Sequence, residues 1–113
     1  MGWLNNNGPF QLERFVPVAP PIAFQTLCES ARSMFTVKSA DDFTLTVTFS
    51  SGASAFTWGE NFSAQVVPAE GGANVRVTAV GKVGGQVQQN ARINKLADRL
   101  FSDYTGRLRA LPS

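Results

Sequence analysis

Residues 43–49 are the most regular segment of the sequence, because four apolar side chains alternate there with three threonines. Successive side chains of a β-strand point to opposite faces, so this alternation predicts a strand with one apolar face and one uncharged polar face. The apolar face would carry Phe43, Leu45, Val47 and Phe49. The segment therefore predicts a sheet that buries one face in a core and leaves the other face free.

Similar patterns elsewhere in the chain predict four more strands and two helices. Pro17 ends the first strand and suits the edge of a sheet, and Pro20 and Pro21 begin the first helix. Gly59 allows a bend within the longest strand. The predicted strands are residues 10–18, 34–38, 55–67 and 74–81, the predicted helices are about residues 21–33 and 86–109, and the main turns are residues 39–42 and 68–73.

These elements predict an α+β domain with the order β-α-β-β-β-β-α. The four strands that follow the first helix are joined by short turns, so they form an antiparallel sheet, and the family resemblance described below implies that this sheet is curved. Both helices must cover its apolar face, because no other element can do so. The long C-terminal helix contributes an apolar stripe that consists of Ile93, Leu96, Ala97, Leu100, Tyr104 and Leu108.

Length, charge and hydropathy indicate a single domain and argue against a nucleic-acid-binding, transmembrane or secreted protein. The chain has 113 residues, which fit a single domain, and we expect a flexible leader at residues 1–9 before one domain at residues 10–113. A formal net charge of +2 does not provide the dense basic patch of a nucleic-acid-binding protein. No segment has the roughly 20 apolar residues of a transmembrane helix, and the leader lacks the pattern of a signal peptide. We therefore expect a cytoplasmic protein.

The residues that most often perform catalysis are missing. The sequence has no histidine, which is the commonest general base and metal ligand. Cys28 is its only cysteine, so neither an intrachain disulfide nor a cysteine-based zinc site can form. No pair of acidic residues has a spacing that supports acid–base chemistry. The sequence therefore predicts a protein that is not an enzyme and that uses no cofactor or metal.

Two local patterns have both a chemical and a structural interpretation. Residues 81–85 read GKVGG and lie between a strand and a helix, as a phosphate loop would, but Lys82 is not followed by serine or threonine. We interpret this segment as a turn. The alternation places Glu60 on the same side as the apolar residues of its strand, where burying its carboxylate would cost desolvation free energy. A bend at Gly59 would turn it outward, and the alternative is that it lines a partly apolar cavity.

The leading functional hypothesis is a non-enzymatic binding or interaction domain. It would use the polar sheet face or the region of Phe56 and Trp58, and self-association as a homodimer is one form of such an interaction. The residues expected on the polar interaction face are Thr36, Thr44, Thr46, Thr48, Ser63, Gln65, Arg76 and Thr78.

The order of elements over residues 10–109 resembles the TBP-like arrangement and a trimmed helix-grip domain of the START or polyketide-cyclase type. The resemblance is one of topology and includes no shared site motif. In helix-grip families a curved antiparallel sheet grips a long C-terminal helix, and an apolar ligand lies between the two. In TBP two such units form the DNA-binding saddle, and this chain has one unit without the intercalating aromatic residues.

The helix-grip resemblance implies a second hypothesis, a carrier of a small, lipid-like apolar ligand. The cavity would be minimal, because the chain lacks the extra strands that enlarge it in helix-grip families. The residues expected to line it are Phe35, Phe49, Phe56, Trp58, Phe62, Ile93, Leu96 and Leu100.

Overall fold

The computed structural model describes residues 10–51, 61–80 and 86–112, and for residues 10, 80 and 86–92 it describes the backbone only. Within these ranges the chain forms five strands and two helices. They are β1 (Phe10–Val16), α1 (Pro20–Met34), β2 (Thr36–Asp41), β3 (Thr46–Ser50), β4 (Asn61–Ala69), β5 (Gly72–Val80) and α2 (Gln86–Arg109). The predicted α+β class and order of elements are confirmed.

The five strands form one antiparallel sheet in the order β1-β5-β4-β3-β2. β1 and β2 are consecutive in the sequence but lie at opposite edges, so α1 has to cross the sheet between them. α1 contacts β2, β3, β4 and β5 along this path. The side of the sheet that α1 covers is the inner face, and the opposite side is the outer face.

The register of the strands places apolar residues of neighbouring strands opposite one another on the inner face. Phe62 pairs with Phe49 on one side and with Ala79 on the other, and Ala64 pairs with Val47 in the next inward register. All five side chains are buried. The helices complete this core with Ala23, Phe24, Leu27 and Ala31 of α1 and with Ile93, Ala97, Leu100, Phe101 and Tyr104 of α2.

Among the described residues, α2 packs more extensively on α1 than on any strand. The contact includes a buried hydrogen bond in which Tyr104 Oη donates to the carbonyl oxygen of Ala23 over 2.9 Å. α2 also contacts β1, because the guanidinium carbon of Arg14 lies 5.0 Å from the centroid of the Phe101 ring, which is a cation–π geometry. The C-terminal half of α2 is therefore held by both α1 and the edge strand β1.

The prediction for residues 43–49 is wrong at its N-terminal end. β3 begins at Thr46, and Phe43 lies in a turn with 95% of its surface exposed, outside the core. Asp41 ends β2, and its carboxylate accepts a 2.9 Å hydrogen bond from the backbone N–H of Phe43. Such a side-chain cap stabilises a turn, so it places the chain reversal after Asp41 rather than at the predicted residues 39–42.

The second predicted turn, at residues 68–73, is too long. β4 continues to Ala69 and β5 starts at Gly72, so Glu70 and Gly71 alone connect them. Gly71 has φ of 80°, which glycine adopts without the steric cost that other residues incur. Pro68 is tolerated inside β4 because β3 pairs with β4 only as far as Gln65.

Other boundaries differ less from the prediction. Met34 ends α1, so the strand predicted at residues 34–38 begins at Thr36 and continues to Asp41. α2 has the predicted bounds. The predicted leader at residues 1–9 and the first part of the strand predicted at residues 55–67 lie outside the described residues.

Two glycine-to-alanine substitutions should have opposite effects on stability. Gly106→Ala should raise the free energy of unfolding by about 1 kcal/mol, because alanine has the higher helix propensity. A Cβ at position 106 would meet nothing within 4 Å. Gly72→Ala should lower it by about 2 kcal/mol or more, because its Cβ would collide with the carbonyl oxygen of Val16. Urea unfolding followed by circular dichroism measures both changes, and equal effects would contradict this packing.

Candidate functional site

Three phenylalanines from different elements meet at one end of the inner face. The ring centroids of Phe35 and Phe49 lie 4.9 Å apart, those of Phe35 and Phe62 5.7 Å apart, and those of Phe49 and Phe62 5.3 Å apart. Phe49 and Phe62 meet because they are directly paired in the β3–β4 register. We call these three residues the phenylalanine cluster.

Phe35 joins the cluster because α1 ends immediately before it. Its backbone N–H still bonds to the carbonyl oxygen of Ala31 over 2.7 Å, while its own backbone is extended and leads into β2. Phe35 is half-buried, whereas Phe49 and Phe62 are 1% and 3% exposed. Of the three rings, Phe35 thus offers the surface that a ligand could contact directly.

The surroundings of the cluster are apolar. Val37 and Ala79 flank Phe49 and Phe62 in the same register. Among the described strand residues, Arg14 is the one titratable residue whose register places it on the inner face, and its guanidinium lies over Phe101 of α2. The cluster lies at the end of the sheet from which the chain continues into residues 52–60 and 81–85. This environment favours an apolar, uncharged group.

The remaining predicted cavity residues fall into two sets. Ile93 and Leu100 of α2 are buried in the same core as Phe49 and Phe62, and Leu96 is partly buried against that core. Phe56 and Trp58 lie outside the described residues, as does Glu60, whose orientation the sequence left open. The role of all these residues in holding a ligand stays a prediction.

Most of the predicted interaction residues lie on the outer face, where they pair across adjacent strands. Thr36 lies on this face at the start of the edge strand β2. Thr44 is the exception, because it lies in the turn that precedes β3 and not on the sheet. Two rows cross the central strands, namely Thr46–Gln65–Arg76 and Thr48–Ser63–Thr78.

Polar groups of the outer face form one hydrogen-bonded pair and one ion pair. The hydroxyls of Ser39 and Thr48 lie 2.7 Å apart, and Arg76 Nε lies 3.5 Å from Glu13 Oε1. The edge residues Ser39 and Glu13 were missed as members of this face. Alternation within residues 43–49 reports the face of one strand, whereas the membership of the edge strands depends on the register of the whole sheet.

A separate open groove lies between α1 and the β2–β3 turn, and we call it the α1 groove. Its volume is about 420 Å³. Burial raises the pKa of the Cys28 thiol at this site, while the charge of Arg32 acts in the opposite direction. The groove is lined by Pro21, Phe24, Gln25, Cys28, Arg32, Ala40, Asp42 and Leu45. The sequence did not predict it, because its wall includes the turn that was expected to be a strand.

The described part of the chain contains no cluster of three or more histidine, cysteine, aspartate or glutamate side chains that could hold a metal ion. Within the same residues, neither helix combines the length and the apolar character that crossing a membrane requires.

The sequence matches no known protein family and no curated protein. Solved structures nevertheless share its fold. Ara h 8.0201 matches with a TM-score of 0.61 and 13% identity, over 90% of this chain and 97% of that one. TTHA0849 from Thermus thermophilus matches with a TM-score of 0.66 and 15% identity, over 91% of this chain and 98% of that one.

A third similar structure is the di-domain ARO/CYC protein BexL from the BE-7585A biosynthetic pathway. It matches with a TM-score of 0.67 and 9% identity over 88% of this chain, which spans 46% of BexL. At these identities the likeness shows the fold alone. These neighbours confirm the predicted resemblance in fold to helix-grip domains.

Alanine substitutions within the cluster should separate its structural members from its accessible member. Phe49→Ala should lower the free energy of unfolding by about 3–5 kcal/mol, because it leaves a cavity in the closed core. Phe35→Ala should lower it by only about 1–2 kcal/mol, because part of that ring is already in water. Chemical denaturation of both variants tests this order, and a larger loss for Phe35→Ala would contradict it.

The Cys28 thiol should react slowly in the native protein. It is 4% exposed, and burial raises the pKa of its thiol, which lowers the fraction of reactive thiolate. We expect its reaction with an aromatic disulfide reagent at pH 8 to be about tenfold or more slower than after unfolding in guanidinium chloride. Stopped-flow absorbance gives both rates, and equal rates would show that the thiol is open to solvent.

Proposed function

We propose that the protein binds a small apolar ligand between the inner face of the sheet and α2, and that it does so without catalysing a reaction. The observation that carries this proposal is the phenylalanine cluster, which combines two closed rings with the accessible ring of Phe35. A ligand at this place would lie against Phe35 and replace water from an apolar surface.

The arrangement of the helices supports this location. α2 rests on α1 through the Tyr104–Ala23 hydrogen bond, and Phe101 in its C-terminal half lies under Arg14 of β1. The cluster lies at the opposite end of the sheet, next to Val80, which precedes α2 in the chain. The helix-grip resemblance adds support, because it implies that a ligand lies between the sheet and the long helix.

The chemistry of the site indicates the class of ligand. The described inner-face residues beside the cluster provide aliphatic and aromatic contacts and no charged group. An alkyl chain or a planar aromatic ring fits these contacts, because aromatic rings stack favourably on phenylalanine. The absence of histidine from the sequence favours binding over acid–base catalysis.

A second candidate function is the binding of another protein through the outer face. One observation favours it, namely that six of the eight predicted residues form two complete rows across β3, β4 and β5. The mutual hydrogen bond of Ser39 and Thr48 weighs against it, because these hydroxyls already have a partner. Ligand binding at the cluster therefore remains the first choice.

Titration with an apolar probe tests the first proposal. We expect dodecanoate or 1-anilinonaphthalene-8-sulfonate to shift the backbone amide resonances of Phe35, Phe49 and Phe62 in two-dimensional NMR spectra. Phe35→Ala should weaken binding of the same probe by about tenfold, because a fully buried phenylalanine contributes roughly 1.5–3 kcal/mol.

Phe15→Ala is the matched control, because Phe15 is 52% exposed and its register places it on the outer face. This variant should bind the probe as the unmodified protein does. Absence of any amide shift at millimolar probe would overturn the proposal. Shifts that Phe15→Ala abolishes and Phe35→Ala leaves intact would place the ligand on the other face and would overturn it as well.

A further inference from the structure

Phe43 is presented to solvent on a well-defined turn. It is 95% exposed, which is the largest exposure among the large hydrophobic residues that the structure describes. The turn is held by the hydrogen bond from the Phe43 amide to Asp41. Leu45 completes the turn with φ of 55°, a conformation that is uncommon for residues other than glycine. The chain thus adopts a strained turn and displays an aromatic ring at its tip.

The same turn forms one wall of the α1 groove. Asp42 and Leu45 flank Phe43 and line this groove, while Phe24 and Pro21 of α1 form apolar parts of the opposite wall. A volume of about 420 Å³ is sufficient for an aromatic side chain. Phe43 itself cannot occupy the groove of its own chain, since almost its entire surface is in solvent.

Two opposite charges border the groove. Arg32 lies on α1 and Asp42 lies on the turn, and both line the groove. Neither forms an ion pair within 4 Å with another described residue. The groove therefore combines apolar lining residues with one positive and one negative side chain, both available to a partner with the complementary arrangement.

We propose that a second copy of this chain occupies the groove, and that each copy inserts its Phe43 into the α1 groove of the other. In a two-fold symmetric contact each residue meets its counterpart reciprocally, so Arg32 of each copy would face Asp42 of the other. One surface supplies the aromatic ring, its receptor groove and both charges. This self-complementarity favours a second copy over an unrelated partner.

The area of this contact limits its strength. It involves one turn and one flank of α1, so we expect it to bury less than the roughly 1,200–2,000 Å² of stable interfaces. The dimer should accordingly be weak and should depend on protein concentration. It leaves the phenylalanine cluster uncovered, so it is independent of the ligand binding proposed above.

Sedimentation velocity over a concentration series tests the dimer. The unmodified protein should shift from monomer to dimer as its concentration rises towards about 1 mM, the range of weak complexes. Phe43→Ser should raise the dissociation constant about tenfold or more, because it removes the buried ring. Phe15→Ser is the matched control and should leave the constant unchanged. A monomer at every concentration, or equal effects of the two variants, would overturn the proposal.

A charge exchange tests the orientation of the two copies. Asp42→Arg and Arg32→Asp should each weaken the dimer, because each creates two contacts between like charges. The double variant should restore it, since the pairs then reform with opposite polarity. Circular dichroism confirms that each variant is folded. A folded double variant that remains as weak as the single variants, or dilution-dependent NMR shifts centred on Thr48 and Ser63 instead of Phe43, would overturn the proposed contact.

Discussion

The passage of α1 from one edge of the sheet to the other is the constraint on which the rest of the structure depends. β1 and β2 are neighbours in sequence and occupy opposite edges, so their connection has to span the three strands between them. α1 makes this connection across the inner face, and its buried side covers part of that face. α2 then packs on α1, and Tyr104 fixes the contact by bonding to a carbonyl of α1. The sheet, α1 and α2 thus depend on one another in that order.

The end of α1 also decides where the phenylalanine cluster forms. Phe35 is the first residue after the helix, and its extended backbone directs the ring towards Phe49 and Phe62. A further helical residue would rotate the side chain by about 100° around the helix axis and move it away from the sheet. The accessible ring of the site therefore exists because the helix stops at Met34. The site is a property of this boundary as much as of the residue types.

The sequence predicts the interior of the elements well, and it fails where a single side chain decides the path of the backbone. Val47 and Phe49 lie on the buried face as the alternation indicates, because a strand has only two faces. The same alternation would include Phe43, yet Asp41 reverses the chain before β3 begins. Period-two patterning contains no information about this reversal. The α1 groove was missed for the same reason, because its wall is formed by the misassigned turn.

Phe35 was predicted as an inward aromatic residue, but the sequence could not predict how much of its ring is exposed. Exposure depends on how closely α1, β2 and β3 approach one another, and these distances follow from tertiary packing instead of local pattern. The register of the edge strands was hidden in a similar way. A bulge between Val37 and Ser39 shifts β2 by one residue, so Ser39 joins the outer face opposite Thr48.

Contacts within the fold explain the position of Thr48 in β3, but they do not explain the exposure of Phe43 in the preceding turn. Thr48 bonds to Ser39 across the edge of the sheet, so these two hydroxyls of the outer face have a partner within the chain. Contacts within the chain do not explain the position of Phe43. Its ring is in solvent, and its turn contains Leu45 in the left-handed conformation. Deviations from locally favourable structure tend to mark functional positions. The irregular start of the most regular segment is therefore the place at which we propose that a second copy of this chain binds.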